Sequence, residues 1–123
     1  MDLRLELVII PVTDVDRAKA FYVDRFGFTA DHDQVVTPEL RFVQLTPPGS
    51  ACSIALGLGL TDAEPGSVKG LQVVTTDIEE TQRTLRERGV DTGEIDDQAW
   101  GRFLHVEDPD GNHWAIQQIV YPS

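Results

Sequence analysis

The chain has 123 residues, 41% hydrophobic and 25% charged, the composition of one small globular domain. Its formal net charge of −11 disfavours nucleic acid and anionic membrane surfaces, both polyanions, and is permissive towards cationic small molecules. A single cysteine, Cys52, excludes an internal disulfide, no apolar run approaches the ~20 residues of a membrane span, and the Met1-Asp2-Leu3-Arg4 start lacks a signal-peptide pattern, so a cytoplasmic protein without a membrane partner is expected.

Residues 3–12 alternate at first (Leu3, Leu5 and Leu7 against Arg4 and Glu6) and then become continuously apolar, as in a strand entering a two-sided core. Asp14 is a natural helix N-cap, followed at helical spacing by Val15, Ala18, Phe21 or Tyr22, and Phe26, with Gly27 suited to the helix end. Strands follow at 28–36, 40–46 and 51–58, the last two joined by the Pro47-Pro48-Gly49-Ser50 turn. The stretch 59–69 reads as a linker. A strand at 70–76 opens the second half, and its helix starts at Asp77 with Glu80 placed for a capping box. Acids early in that helix (Glu79, Glu80) and bases late (Arg83, Arg86, Arg88) complement its dipole. Weaker strand signals at 92–96, 101–107 and 113–119 complete the chain.

The two halves echo each other. Arg41-Phe42-Val43-Gln44-Leu45 before Pro48-Gly49 matches Arg102-Phe103-Leu104-His105-Val106 before Pro109-Asp110-Gly111, at an offset of half the 123 residues. One β-α-β-β-β unit written twice, each copy too small for its own core, predicts an α+β fold of two pseudo-symmetric modules, about 1–60 and 68–123, forming a curved mixed sheet around a cleft.

Strand parity places the cleft face. Cys52, Ile54, Leu56 and Leu58 oppose Ser53, Ala55 and Gly57; Trp114 and Ile116 oppose His113, Ala115 and Gln117; Leu71 and Val73 oppose Gly70 and Gln72; Val8, Ile10 and Val12 oppose Leu7, Ile9 and Pro11. The bulky faces are expected beneath the helices. The small and amide faces lack the volume to fill an interior and are expected to line a cavity, together with Phe42, Gln44, Phe103 and His105. Trp100 is read as a loop residue near the cavity wall, Trp114 as core, His32 as surface, and Cys52 as a small buried hydrophobe. Arg41 and Arg102, at matching places, make either surface ion pairs or an oxyanion contact.

The duplicated unit, Pro11-Val12-Thr13-Asp14 with Ala20-Phe21-Tyr22 and Phe26-Gly27-Phe28, and Asp108-Pro109-Asp110-Gly111-Asn112 resemble the vicinal oxygen chelate superfamily of glyoxalase I, bleomycin resistance proteins and extradiol dioxygenases. The Asp-Pro-Asp-Gly-Asn segment alone is a good turn and carries little by itself. Enzymes of that superfamily hold a divalent metal at four positions. Carried over by spacing, these fall on Leu7, Ala55, Gly70 and Ala115, none of which can bind a cation through its side chain, so no metal and no cofactor are expected. The resemblance then implies a homodimer that sequesters a small organic molecule, partly aromatic and neutral or cationic. Phe42, Phe103 and Trp100 would stack on it, and Gln44, Gln72, Gln117 and His113 would orient it. The alternative is an enzyme of the same fold, of isomerase, lyase or dioxygenase type. It would use His105 and His113 as acid and base, or a non-standard metal site.

Overall fold

A computed structural model of the protein describes residues 1–119. The first half runs β1 (Leu7–Ile9), α1 (Val15–Ala20) continued by a π-helical turn (Phe21–Arg25), β2 (Thr29–Thr37), β3 (Leu40–Thr46) and β4 (Ser53–Leu58). The second runs β5 (Leu71–Val74), α2 (Ile78–Glu87), β6 (Asp96–Gln98), β7 (Gly101–Glu107) and β8 (His113–Ile119). Each half makes one four-stranded sheet, ordered β1-β4-β3-β2 and β5-β8-β7-β6, with only the β1–β4 and β5–β8 pairs parallel. This is the α+β architecture of two repeated β-α-β-β-β units.

Two strands differ from expectation. The strand read over 3–12 narrows to Leu7–Ile9, because Pro11 has no N–H to donate and Leu3 and Leu5 stand exposed beyond the last paired residue. The strand read at 92–96 lies instead at Asp96–Gln98: Gly93 takes a positive φ of 61°, and Thr92 is buried in an irregular stretch before it. The expected end of the second unit, at 123, lies outside the described residues.

Both helices begin alike. The Asp14 side chain accepts a 3.0 Å hydrogen bond from Arg17 N, and the Asp77 side chain accepts one of 3.0 Å from Glu80 N. Next to each cap an arginine from the third strand of the unit grips the helix's first turn. Arg41 pairs with Asp16 at 2.9 Å and with Asp33 at 2.9 Å; Arg102 pairs with Glu79 at 3.0 Å and with Asp97 at 2.8 Å. The matching arginines are thus ion-pair clamps on the helix side of each sheet. The π-helical turn settles which aromatic of α1 is buried. The Phe26 N–H reaches back to Phe21 O, so Phe21 and Tyr22 both turn inward.

One apolar core serves both halves. It joins Val43, Leu45, Ile54 and Leu56 of the first sheet to Leu104, Val106, Trp114 and Ile116 of the second, with Tyr22, Phe28, Ile78 and Leu85 between. Trp114 sits against Phe26 and Phe28 at ring-centroid distances of 5.4 and 5.6 Å. The Asp108–Asn112 segment, read as a turn, is also the polar tie between halves. The Asp108 carboxylate accepts from Tyr22 Oη (2.8 Å), Asn112 Nδ2 (2.8 Å), Asn112 N (3.0 Å) and Asp110 N (2.9 Å), and Asn112 Nδ2 also donates to Pro11 O at 2.9 Å. Such a network is favourable in a dry interior because each group just named has a partner, whereas the neighbouring Asp110 Oδ2 is buried without one among the described residues. Because both bulky faces meet in this one core, the opposite face of each sheet is turned outward.

Candidate functional site

The ladder register shows how far the outward faces repeat. Phe42 pairs with Gly57 and Gln44 with Ala55; in the second sheet Phe103 pairs with Gln117 and His105 with Ala115. Ile9 lies beside Ala55 as Gln72 lies beside Ala115. Leu7 lies beside Ser53, and Gly70, one residue before β5, falls beside His113. The two faces therefore carry equivalent rings (Phe42, Phe103), equivalent alanines (Ala55, Ala115) and equivalent polar pairs (Gln44 with Ser53, His105 with His113).

On the first face the Gln44 amide donates to Ser53 Oγ at 3.2 Å, and Thr46 Oγ1 contacts the same Oγ at 2.6 Å. Ala55 is fully buried between its strand neighbours. On the second face the aromatic rings form a ladder. Trp100 and Phe103 are 6.5 Å apart, Phe103 and His105 6.5 Å with planes 13° apart, and His105 and His113 5.1 Å with planes 26° apart. His105 Nδ1 and His113 Nε2 share a 3.1 Å hydrogen bond. At the foot of the ladder Gln72 Nε2 donates to Gln117 Oε1 at 2.5 Å, and Gln117 Nε2 donates to Trp100 O at 3.1 Å. Gly101 makes room for this amide: a Cβ there would lie 2.6 Å from Gln117 Nε2.

Each sheet thus gathers its own share of the twelve sequence-derived residues. Leu7, Phe42, Gln44 and Ala55 lie on the first face; Gln72, Phe103, His105, His113, Ala115 and Gln117 lie on the second, with Gly70 and Trp100 at its margins. A single chain does not bring the two groups together, since they face away from the shared core. The small residues therefore do not line a cavity closed by the chain itself. A cavity of about 590 Å³ does open beside the second face, lined by Phe21, Val90, Thr92 and Glu107, and it touches the expected site only through His105 and His113. It exists because β6 has three residues where β2 has nine, which leaves the outer half of β7 uncovered. Sequence reasoning did not single out Asp96, whose Oδ2 lies 3.9 Å from His105 Nε2: the strand read at 92–96 includes it, but its pairing opposite Phe103 is not legible in the sequence.

Metal chemistry finds no donors where the resemblance would put it. Leu7, Ala55, Gly70 and Ala115 present hydrocarbon or hydrogen, so the residues do not fit a divalent cation there. Among the described residues no three His, Cys, Asp or Glu side chains are grouped as a metal would require. Inside the core, burial first and the Asp108 carboxylate second push the Tyr22 phenol well above its ordinary range, so it stays a neutral donor to Asp108. No helix among the described residues is long and apolar enough to cross a membrane.

The sequence profile of the Glyoxalase/Bleomycin resistance protein/Dioxygenase superfamily matches residues 4–116. Among solved structures, TnmS3, an antibiotic binding protein from Streptomyces sp. CB03234, is 34% identical, with 97% of this chain and 98% of that one covered and a TM-score of 0.88. A member of the same superfamily from Sphaerobacter thermophilus DSM 20745 is 34% identical over 94% of this chain and 97% of its own, with a TM-score of 0.83. The uncharacterized protein YetH of Bacillus subtilis (strain 168) is 24% identical over 113 residues, 90% of this chain and 94% of its own.

Proposed function

The chain belongs to the glyoxalase/bleomycin resistance protein/dioxygenase superfamily, and within it we propose a metal-independent binder that sequesters a partly aromatic, neutral or cationic small molecule between two copies of itself. The observation that carries this reading is the equivalence of two outward faces. Each has a phenylalanine ring, a hydrogen-bonded polar pair and an alanine at matching ladder positions, pointing away from a common core, with Ser53, Ala55 and Phe103 themselves little exposed. A second copy, with its first sheet opposite the second sheet of this one, would close a site that one chain leaves open.

Exposed apolar residues support that pairing. Ile9, Val74 and Ile119, at outward strand positions, and Trp100 at the margin of the second face are 39%, 65%, 42% and 63% exposed. The ligand's character follows from the walls. The ring ladder offers a flat stacking surface, the glutamines and His113 offer hydrogen bonds, and no outward position of these strands carries Lys or Arg. With Asp96 and Glu107 nearby and a net charge of −11, a cation is favoured over a phosphate. An antibiotic-binding relative of similar length supports the same class of function.

A second reading draws on one contact. The Asp96–His105–His113 series could relay a proton in a metal-free isomerase or lyase.

The test is calorimetric titration with basic planar aromatic compounds and with phosphorylated ones, with and without a chelator, on wild type and Ala115→Trp. The proposal expects binding of the former alone, unaffected by chelator, abolished by the indole, and with the compound recovered unchanged. Tight binding of a phosphorylated compound, loss of binding on chelation, or unaltered affinity in Ala115→Trp would overturn it; turnover would favour the second reading.

A further inference from the structure

The two outward faces carry a polar pair at the same place, and only one of the pairs can take up protons. In the first sheet it is Gln44 and Ser53, joined at 3.2 Å. In the second it is His105 and His113, with Nδ1 and Nε2 3.1 Å apart and the rings stacked at 5.1 Å. A contact this short holds one hydrogen between two nitrogens. A neutral pair supplies it, and so does a pair with one added proton. A pair with two added protons cannot, because both facing nitrogens then carry hydrogen and two like charges lie in one stack.

We infer that the His105–His113 pair is a proton-operated latch on the proposed ligand site, which retains a cationic aromatic ligand near neutral pH and expels it on acidification. This rests on the functional reading above. The charged groups around the pair are known from every neighbouring element. Asp96 of β6 lies 3.9 Å from His105 Nε2, and Glu107 of β7 is the cross-strand partner of His113. Across the adjoining cavity stand Asp91 and Glu94 from the connection after α2, Arg25 from the π-helical turn, and the buried Asp108. A second added proton must break the stack, which removes the ring next to Phe103 and leaves positive charge on the face that holds the cation. Bound cation and bound protons therefore exclude each other. The affinity falls as the pH falls, by up to about tenfold per pH unit for each proton linked to release.

The experiment uses ethidium, a planar aromatic whose positive charge is fixed, titrated into the full chain at about pH 7.5 and pH 5.5. Both values lie above the ordinary carboxylate range near ~4. The expected dissociation constant is at least tenfold larger at the lower pH. In the double variant His105→Gln/His113→Ser, which copies the Gln44–Ser53 pair, that ratio should collapse to near one whatever the affinity at pH 7.5. Ethidium that fails to bind at pH 7.5 sinks the functional reading and the latch together. Ethidium that binds equally at both pH values, or a ratio that survives in the double variant, sinks the latch alone.

Discussion

Tyr22→Phe keeps the ring of the central tyrosine and deletes one oxygen from a dry polar chain. That oxygen accepts the Trp114 Nε1–H at 2.9 Å and donates to Asp108 Oδ2 at 2.8 Å, while Tyr22 is 0% and Trp114 2% exposed. The bond to the carboxylate contributes about 1.5–3 kcal/mol, and an orphaned buried indole N–H costs about 1–3 kcal/mol. Asp108 keeps its donors from Asn112 and Asp110 and is not itself orphaned. The expected loss is therefore about 3–4 kcal/mol, a large share of the ~5–15 kcal/mol that such a domain has. Urea unfolding should show a lower midpoint with an unchanged slope. In a cycle with Trp114→Phe, the double variant should lose at least ~1 kcal/mol less than the sum, because the second change removes the donor that the first one orphans. The phenol adds a pH signature. Its neutral form is favoured in the folded state, so its contribution is complete below the unfolded-state pKa near ~10 and is lost as the pH rises above it. Wild type should thus lose its advantage over Tyr22→Phe in that alkaline range. A cost below ~1 kcal/mol, or strict additivity in the cycle, would refute the buried chain as drawn.

Two further expectations concern the surface and the assembly. The Asp33 carboxylate accepts from Arg41 Nε at 3.0 Å, Arg41 Nη2 at 2.9 Å and Lys19 Nζ at 2.8 Å, and the Arg41 bonds first and the Lys19 bond second hold it far below the usual carboxylate range. Asp33→Asn should cost about 1 kcal/mol at neutral pH. Since the folded-state value is depressed, the difference should shrink as the pH falls below ~4; a cost that persists in strong acid would contradict the ion pair. Light scattering at micromolar concentration should give twice the mass of one chain, and the mass of a single chain would remove the second wall of the proposed site.

Much of this was legible because parity and repetition are local. The 41–45 and 102–106 segments name equivalent strands, and alternation puts Phe42, Gln44, Phe103 and His105 on the faces where the register has them. Alternation cannot tell what covers a face, so a second chain across the cleft is implied by the family resemblance and not by the strands themselves. The short β6 was misplaced because Thr92 and Ile95 mimic a strand while Gly93 takes a conformation that no strand uses. Asp108 reads as a turn residue, and its role as the acceptor for Tyr22 depends on a contact 86 positions away in the chain. The arginines left open between ion pair and anion site are resolved by α1 and α2, whose first-turn acids lie within their reach.

The central claim is that the ligand site joins the first sheet of one copy to the second sheet of its partner. Complementation tests it most directly. Phe42→Ala and Phe103→Ala chains, each deficient alone, are unfolded together and refolded as a mixture, and ethidium binding is measured by calorimetry. In a mixed dimer of the proposed kind one site carries both substitutions and the other carries neither, so each mixed dimer should regain one site of wild-type affinity. A mixture that binds no better than either variant alone would contradict the account.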